Sequence, residues 1–573
     1  MARGWRGPLL AALVVLVAAL PGALRIPVLD RDEARFAQAT TQMLETGDYV
    51  NIRFQDAPRD KKPVGIHWLQ AISVKLVSSV EKREIWAYRL PSLAGAMLAA
   101  AACAWGAAAA LGPRGGLVAG SILGASFLLS SEGIVAKTDA MLCGAVALSM
   151  AALFRLYLAS RDGPPAPRWT RLLFWSGQAL AVAVKGPIGP MVAVLAVFAL
   201  WGADRKAGWL KRLGWVWGPV LVLAVIGPWA MAITVATDGR FWAEAVGGDL
   251  APKLAGAHES HGAPPGLHLL LSPLLFFPAC VLLPATLVWG WRNRAEPFAR
   301  FALAWLIPAW LVFEIAPTKL VHYPLPLYGA LAWLAAGALT TPMGVWSRRL
   351  GAVLSLLAGG VFAAACLWAA AEYGGGAAKA WGLVCAVLIL AAGAAGALGA
   401  WRNHMRAGLA AAGALGVAGH AVLGGAVLPS LDALWVSDRA AAALAREGVN
   451  PRDGLTPGPV AVAGYAEPSI VFALGAETEL KGAAEAVSAL ADGRPALVES
   501  RQAAAFREAA QAAGLAAERV GEVRGFDYSE GDPVALSLWR AAPGAGADSE
   551  APEPPSRAPG VAADPPAPPT PPG

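Results

Sequence analysis

The chain has 573 residues, 56% of them hydrophobic and only 15% charged, so it cannot be a wholly water-solvated globule, and most of it must sit in lipid. A net charge of +6 would suit nucleic acid, but the basic residues stand in short loops between apolar runs, without a basic stripe interleaved with aromatics. The five cysteines all lie inside apolar runs with no CxxC pair, which suggests neither a disulfide framework nor a zinc site.

Taken in chain order, runs of roughly 17 to 25 mostly apolar residues predict about thirteen spans. They lie near 8–27, 89–111, 115–131, 139–158, 171–185, 187–201, 214–236, 269–291, 300–315, 323–341, 350–371, 380–400 and 405–428. The pair flanking Lys185-Gly186-Pro187 is short, as tilted or broken helices would be. The first run is read as a span rather than a cleaved signal peptide, because no clear small-x-small site follows it. Alternate loops collect arginine and lysine, from Arg3 and Arg6 through Arg161, Arg168 and Arg171 to Arg402 and Arg406, and are cytoplasmic by the positive-inside rule. The opposite loops hold Asp30 to Lys62, Glu132 to Asp139, Lys185, Asp238 to His268, Glu314 to His322 and everything after 430. Nearly every chemically versatile side chain is therefore expected on one face, towards the periplasm or another non-cytoplasmic space.

Beyond the last span the pattern changes. VAVAG (460–464), PALVE (495–499) and PVALSLW (533–539) read as strands, while EPSIVFAL, AAEAVSAL and RQAAAFREAAQAAG read as helices. The expected organisation is an all-α polytopic membrane domain over 1–429, whose first outer loop covers 30–80, then a small soluble α/β domain over 430–541. A Pro-rich, disordered tail over 542–573 completes it.

The stretch DRDEARFAQATTQMLETGDY follows directly on the first span. Phe36, Thr40, Met43 and Leu44 fall on one helical face, with Glu33, Arg35, Gln38, Gln42 and Glu45 elsewhere, as in an amphipathic helix on the membrane surface. Asp30 or Asp32 can cap its start and Gly47 can end it. Composition alone reads Asp32 as that cap and Glu33 as a solvated first-turn acid. The company matters more: Lys61 and Lys62, then Lys137 with Asp139, Lys185 and Lys319, come from ends of separate spans. One lysine at a span end is an anchor, whereas several from different loops make an anion clamp.

Together with KKPVGIHWLQA, AKTDAML (136–142), AVKGPIGP (183–190) and PTKLVHYPLPLYGAL (317–331), that stretch resembles the polyprenyl-phosphate-dependent glycosyltransferases of the GT-C fold. The branch is that of the aminoarabinose lipid A transferases and protein O-mannosyltransferases, and the likeness runs in order over about 25–330. It implies a hexosyl- or pentosyltransferase that moves a sugar from a polyprenyl-phosphate donor to a lipid A-like or other envelope acceptor, with inversion. By that resemblance Asp32 matches the essential acid, with Glu33 beside it, and Lys62 matches the residue that meets the donor phosphate. Arg35, Lys61, Asp139, Lys185, Lys319, His322 and Tyr323 match further motif positions. The chemistry is coherent, because breaking the anomeric carbon–phosphate bond leaves positive charge on the sugar and extra negative charge on the phosphate. The chain departs from the family at Phe36, where tyrosine is common, at Lys61, where an acid is common, and at His67-Trp68. No metal ligand is therefore assigned; a divalent metal stays open, with Asp238, Asp249, His258 and His261 as candidates in the 237–268 loop, itself read as a connector or flap. In the C-terminal domain, Tyr465 and Glu467 of GYAEPS are read as an ordinary strand-to-helix turn rather than as site residues. Transfer to protein hydroxyls, a lipid-linked sugar flippase and a membrane scaffold are the alternative readings. A flippase should carry mid-span charges in paired halves, which this sequence lacks.

Overall fold

The structure is a computed structural model of the whole chain, and residues 4–252, 262–451 and 458–542 are described. All thirteen apolar runs are helical. α1 (Arg6–Arg25) enters the bundle, and α2 (Asp32–Thr46) and α3 (Gly65–Val77) lie between it and α4 (Ile85–Gly124). The expected span 89–111 and the first part of 115–131 fall within α4, where Gly112 at φ 72° breaks the helix, and the second runs on into α5. α5 (Phe127–Gly133), α6 (Asp139–Ala159), α7 (Trp169–Lys185), α8 (Ile188–Asp204) and α9 (Trp217–Ala236) follow. The run at 269–291 is two helices, Leu267–Leu275 and Ala279–Arg292, bent by 120°. Among the described residues, eight helices are long and apolar enough to cross a membrane, or nine with the bent pair. The chain is thus a multi-pass membrane protein; thirteen is the number of apolar helical segments, not an established number of crossings. α7, α8 and Leu325–Ala338 are shorter than such a span.

Small residues let these helices approach closely, as membrane packing requires where no hydrophobic force draws apolar helices together. α4 meets α6 at Gly95 and Gly144: a Cβ on Gly95 would lie 2.4 Å from the Met141 Cα, and one on Gly144 2.4 Å from the Gly95 carbonyl oxygen. Phe154, Phe298, Phe301, Trp305 and Trp333 fill the bundle centre. Helices Val345–Tyr373, Gly376–Trp401 and Met405–Val422 pack in sequence, the last also against α1.

After Ser430 the chain forms helix Val436–Arg446 and a five-stranded mixed sheet. Its strands are β3 (Ala461–Ala463), β4 (Glu479–Lys481), β5 (Ala496–Glu499), β6 (Ala517–Asp527) and β7 (Asp532–Ala541), in the order β4-β3-β5-β7-β6. β1 (Arg53–Phe54) and β2 (Ala57–Pro58) form a small hairpin after α2. β3 pairs in parallel with β4 and β5, whereas β7 runs antiparallel to β5 and β6. The expected strands and helices of this region are all present. β4 and β6 were not read from sequence, because both are edge strands; β6 carries Glu518, Arg519, Glu522 and Arg524 on exposed positions and shows no apolar alternation. The Pro-rich tail lies outside the described residues.

α2 departs from expectation. Gly47 ends it at φ 74°, as expected, but no side chain caps its start, and Asp32 is its first helical residue. It is also more than half buried: Glu33, Gln38 and Thr41 are as enclosed as Phe36, Thr40 and Met43. The reason is tertiary. α3 covers one side and helix Pro468–Leu474 of the C-terminal sheet region another, so α2 is wedged between protein elements rather than laid on lipid. Arg83 donates to the Gln38 side chain at 3.0 Å and to the carbonyls of Val471 and Phe472, and Gln55 donates to those of Ala476 and Thr478.

Candidate functional site

At one end of the bundle, helix termini deliver charged side chains from five separate segments. α2 supplies Asp32, the loop before α3 supplies Arg59 and Lys62, and the α5–α6 connection supplies Glu132, Lys137 and Asp139. The end of α7 supplies Lys185, and the loop after helix Pro297–Ile315 supplies His322 and Tyr323. A close approach helps fix this arrangement: a Cβ on Gly65 would lie 2.5 Å from the Ala183 carbonyl oxygen, so α3 and α7 touch where Lys62 and Lys185 enter.

Asp139 is the hub. The Lys185 ammonium donates to its carboxylate, His322 Nε2 stands 3.6 Å away, and Lys137 Nζ is 3.9 Å away. Lys137 also pairs with Glu132 at 3.0 Å, and Lys185 stands over the Tyr323 ring at 5.7 Å. The Asp32 carboxylate, half exposed, faces Arg59 at 3.6 Å. Burial opposes its charge, but Lys62, Arg59 and Lys137 outweigh that and hold Asp32 below the usual carboxylate range. Lys62 is pushed down to about 8, first by burial and then by Lys185, against the pull of Asp32 and Asp139. Burial also works against the Lys137 charge, yet Glu132 and Asp139 raise its pKa above the ordinary lysine value. His322 is lowered, by burial before the opposing carboxylates. Arg59 and Lys62 lie over the Phe36 ring at 4.7 and 5.2 Å, and that ring stacks on His67, which burial pushes down to about 3 and so holds neutral.

The structure therefore gathers Asp32, Lys62, Asp139, Lys185, His322 and Tyr323. It does not gather the others in the same way. Lys319 donates to the carbonyls of Ala263 and Ala316 at 2.9 and 2.6 Å, fixing the loop rather than joining the clamp. Arg35 and Lys61 are exposed, Lys61 beside Phe36, Arg59 and Lys62. Glu33 parts from Asp32 altogether. Its carboxylate is fully enclosed and accepts four hydrogen bonds: Arg89 Nε at 2.8 Å, Arg89 Nη2 at 2.7 Å, and the backbone N–H groups of Ala136 and Leu29 at 2.7 and 2.9 Å. With two bonds on each oxygen and no exposed surface, it is placed as an anchor rather than as a reacting acid.

Arg59, Glu132 and Arg89 were missed as site residues, and Lys137 was seen only as one of several lysines. Arg89 looked like the first residue of a span. In fact it is fully buried, and its remaining N–H groups reach the carbonyls of Ala23, Ile26 and Pro27. No local pattern announces such a partner, since Glu33 and Arg89 are 56 residues apart. Among the described residues no three His, Cys, Asp or Glu side chains are grouped to hold a metal ion; where Glu132, Asp139 and His322 meet, Lys137 and Lys185 already supply cations. Asp238 is at a positive-φ turn and Asp249 is buried, while His258 and His261 lie outside the described residues. Tyr465 and Glu467 are buried at the seam between the sheet region and the Asp30 loop, Pro468 starting the helix as expected.

Residues 61–231 match the dolichyl-phosphate-mannose-protein mannosyltransferase family. The chain is 28% identical over 349 residues to the undecaprenyl phosphate-alpha-4-amino-4-deoxy-L-arabinose arabinosyl transferase of Aeromonas salmonicida, covering 60% of this chain and 61% of that one. A Yersinia pestis protein of the same name is 28% identical over 359 residues, covering 61% and 63%. The match thus spans about three fifths of the length of these curated relatives. Among solved structures, ArnT from Cupriavidus metallidurans bound to undecaprenyl phosphate superposes with a TM-score of 0.73 at 20% identity, over 92% of this chain and 97% of that one. Its apo state gives 0.71 over the same shares. Helical bundle, wedged loop helix and C-terminal sheet together place the chain in the GT-C fold, in the form seen in ArnT.

Proposed function

We propose that this chain is a membrane glycosyltransferase that moves a sugar from a polyprenyl phosphate to a lipid or glycan acceptor, on the periplasmic face of a bacterial inner membrane. The observation that carries the reading is the cation group Arg59, Lys62, Lys137 and Lys185 set around the Asp32 and Asp139 carboxylates at one end of the bundle. In such a displacement the acceptor oxygen forms a bond to the anomeric carbon as the carbon–phosphate oxygen bond breaks, and the electron pair leaves on the phosphate. Lys62 and Arg59 receive that charge, and no general acid is needed for so good a leaving group. Asp32 takes the proton of a hydroxyl acceptor, or steadies the positive sugar where the acceptor is itself a phosphate. Asp139 keeps Lys137, Lys185 and His322 in place. Glu33 serves as the anchor of Asp32, a change from the shared catalytic role that the motif implied. Residues 1–429 form the transferase domain in this reading, and 430–541 a domain that packs on its first outer loop.

The relatives' names favour an aminopentose on undecaprenyl phosphate as donor, and the motif resemblance favours a lipid A-like acceptor. Transfer to protein hydroxyls is the second reading, favoured by the family matched over 61–231. The test is transfer by the purified chain in liposomes with undecaprenyl-phosphate-linked sugar, alongside mass spectrometry of envelope lipids and proteins from a deletion strain. Asp32→Asn and Lys62→Ala should each lose about 10²- to 10³-fold in rate. Full transfer by Asp32→Asn would remove Asp32 from the chemistry.

A further inference from the structure

Asp32 follows a strained residue. Arg31 has φ 61° and ψ −104°, a conformation that glycine adopts freely and a residue with a Cβ does not. Such a backbone persists only where its surroundings hold it, and α2 has no side-chain cap to do so. Local bonds span it, from the Leu29 N–H to Glu33 and from the Ala34 N–H to the Leu29 carbonyl, and a second hold comes from the far end of the chain. The backbone N–H of Asp30 donates to Tyr528 Oη at 2.7 Å, and the Arg31 guanidinium donates to the Ser529 carbonyl at 2.5 Å. Both partners lie in the tip joining β6 to β7. That tip is itself fixed: Asp527 Oδ1 accepts the N–H groups of Ser529 and Glu530, and Gly531 turns at φ 86° and donates to the Asp527 carbonyl. The hairpin is pinned to the exit of the last membrane helices as well, because a Cβ on Gly525 would lie 2.4 Å from the Ala433 carbonyl oxygen.

We infer that the β6–β7 tip is a positioning element for Asp32. Tyr528 and Ser529 hold the strained Arg31 linkage, and so set the direction in which α2 presents its first carboxylate to Arg59 and Lys62. This rests on the transferase reading of Asp32. It gives the C-terminal domain a part in the reaction without placing any of its residues on the substrate.

The test uses the full chain in liposomes. Tyr528→Phe keeps the ring against Trp435 and removes the hydroxyl that accepts the Asp30 N–H and also bonds the Asp30 side chain. The expected result is a fall in kcat of about 10- to 100-fold, as for a displaced catalytic group, with KM for the donor unchanged and faster tryptic cleavage after Arg31. Adding Arg31→Gly should restore part of kcat, because glycine adopts φ 61° and ψ −104° without the strain that the hairpin contacts offset; a merely structural role for the hairpin would not be rescued this way. Parental kcat and parental cleavage in Tyr528→Phe, or no recovery on adding Arg31→Gly, would overturn the inference. Full transfer by Asp32→Asn would instead remove the reading beneath it, whereas loss in Asp32→Asn with an unaffected Tyr528→Phe would overturn the positioning role alone.

Discussion

Replacing Arg89 by methionine should cost the fold far more than the loss of a surface ion pair. Arg89 and Glu33 are 0% and 1% exposed, and the guanidinium makes two hydrogen bonds to the carboxylate and three to carbonyls of the α1 exit. Methionine fills a similar volume but leaves Glu33 as a buried charge held by two backbone N–H groups, and leaves the carbonyls of Ala23, Ile26 and Pro27 without their donor. Removing one partner of a buried pair costs about 3–5 kcal/mol, and the three carbonyls push the figure towards the upper end. Glu33→Gln in the same background removes the stranded charge, so the double variant should be more stable than the sum of the single losses by roughly 1–3 kcal/mol. Unfolding of the detergent-solubilised chain in mixed micelles, followed by tryptophan fluorescence, reads both quantities. A loss within about 1 kcal/mol for Arg89→Met, the scale of an exposed pair, would refute the anchoring role. So would a Glu33→Gln variant that unfolds like the parent yet transfers sugar as poorly as Asp32→Asn, since Glu33 would then be acting in the chemistry.

Two pH dependences follow from the same geometry. Burial and Lys185 bring Lys62 down to about 8, so its charge is present below that pH and lost above it. KM for the donor should then rise by about tenfold per unit above pH 8, and Lys62→Arg, whose charge does not titrate, should flatten the profile; a KM constant from pH 7 to 10 in the parent would contradict this. At the seam, burial raises Asp30 to about 6 and Glu467 to about 7, with Asp527 adding to both and Tyr465, Tyr528 and Arg31 facing them. Folded values above the ordinary ones mean a contribution that is whole below about pH 4 and is lost as pH rises through 6 to 7. Amide exchange in helix Pro468–Leu474 should therefore quicken between pH 5 and 8 beyond the intrinsic pH effect, and less so in Glu467→Gln; protection that grows over that range would refute the seam assignment.

The membrane character, the thirteen apolar helical segments and most of the C-terminal strands and helices could be read from the sequence, because each depends on local apolar period and length. So could Asp32, Lys62, Asp139 and Lys185 as candidates, since charge at span ends is visible wherever hydropathy changes. What local pattern could not supply was partnership. Asp32 and Glu33 are adjacent and chemically alike, yet one turns to Arg59 and the other to Arg89, a choice made by how α2 is wedged among α3, α4 and the helix at 468–474. Lys319 looked like its fellow lysines until the loop carbonyls claimed it. The grip of Tyr528 and Ser529 on Arg31 joins residues 498 positions apart. Hydropathy and charge pattern name the groups available at the end of the bundle; which of them meet is set in three dimensions, because burial and hydrogen bonding between distant segments leave some charges already satisfied and others to act.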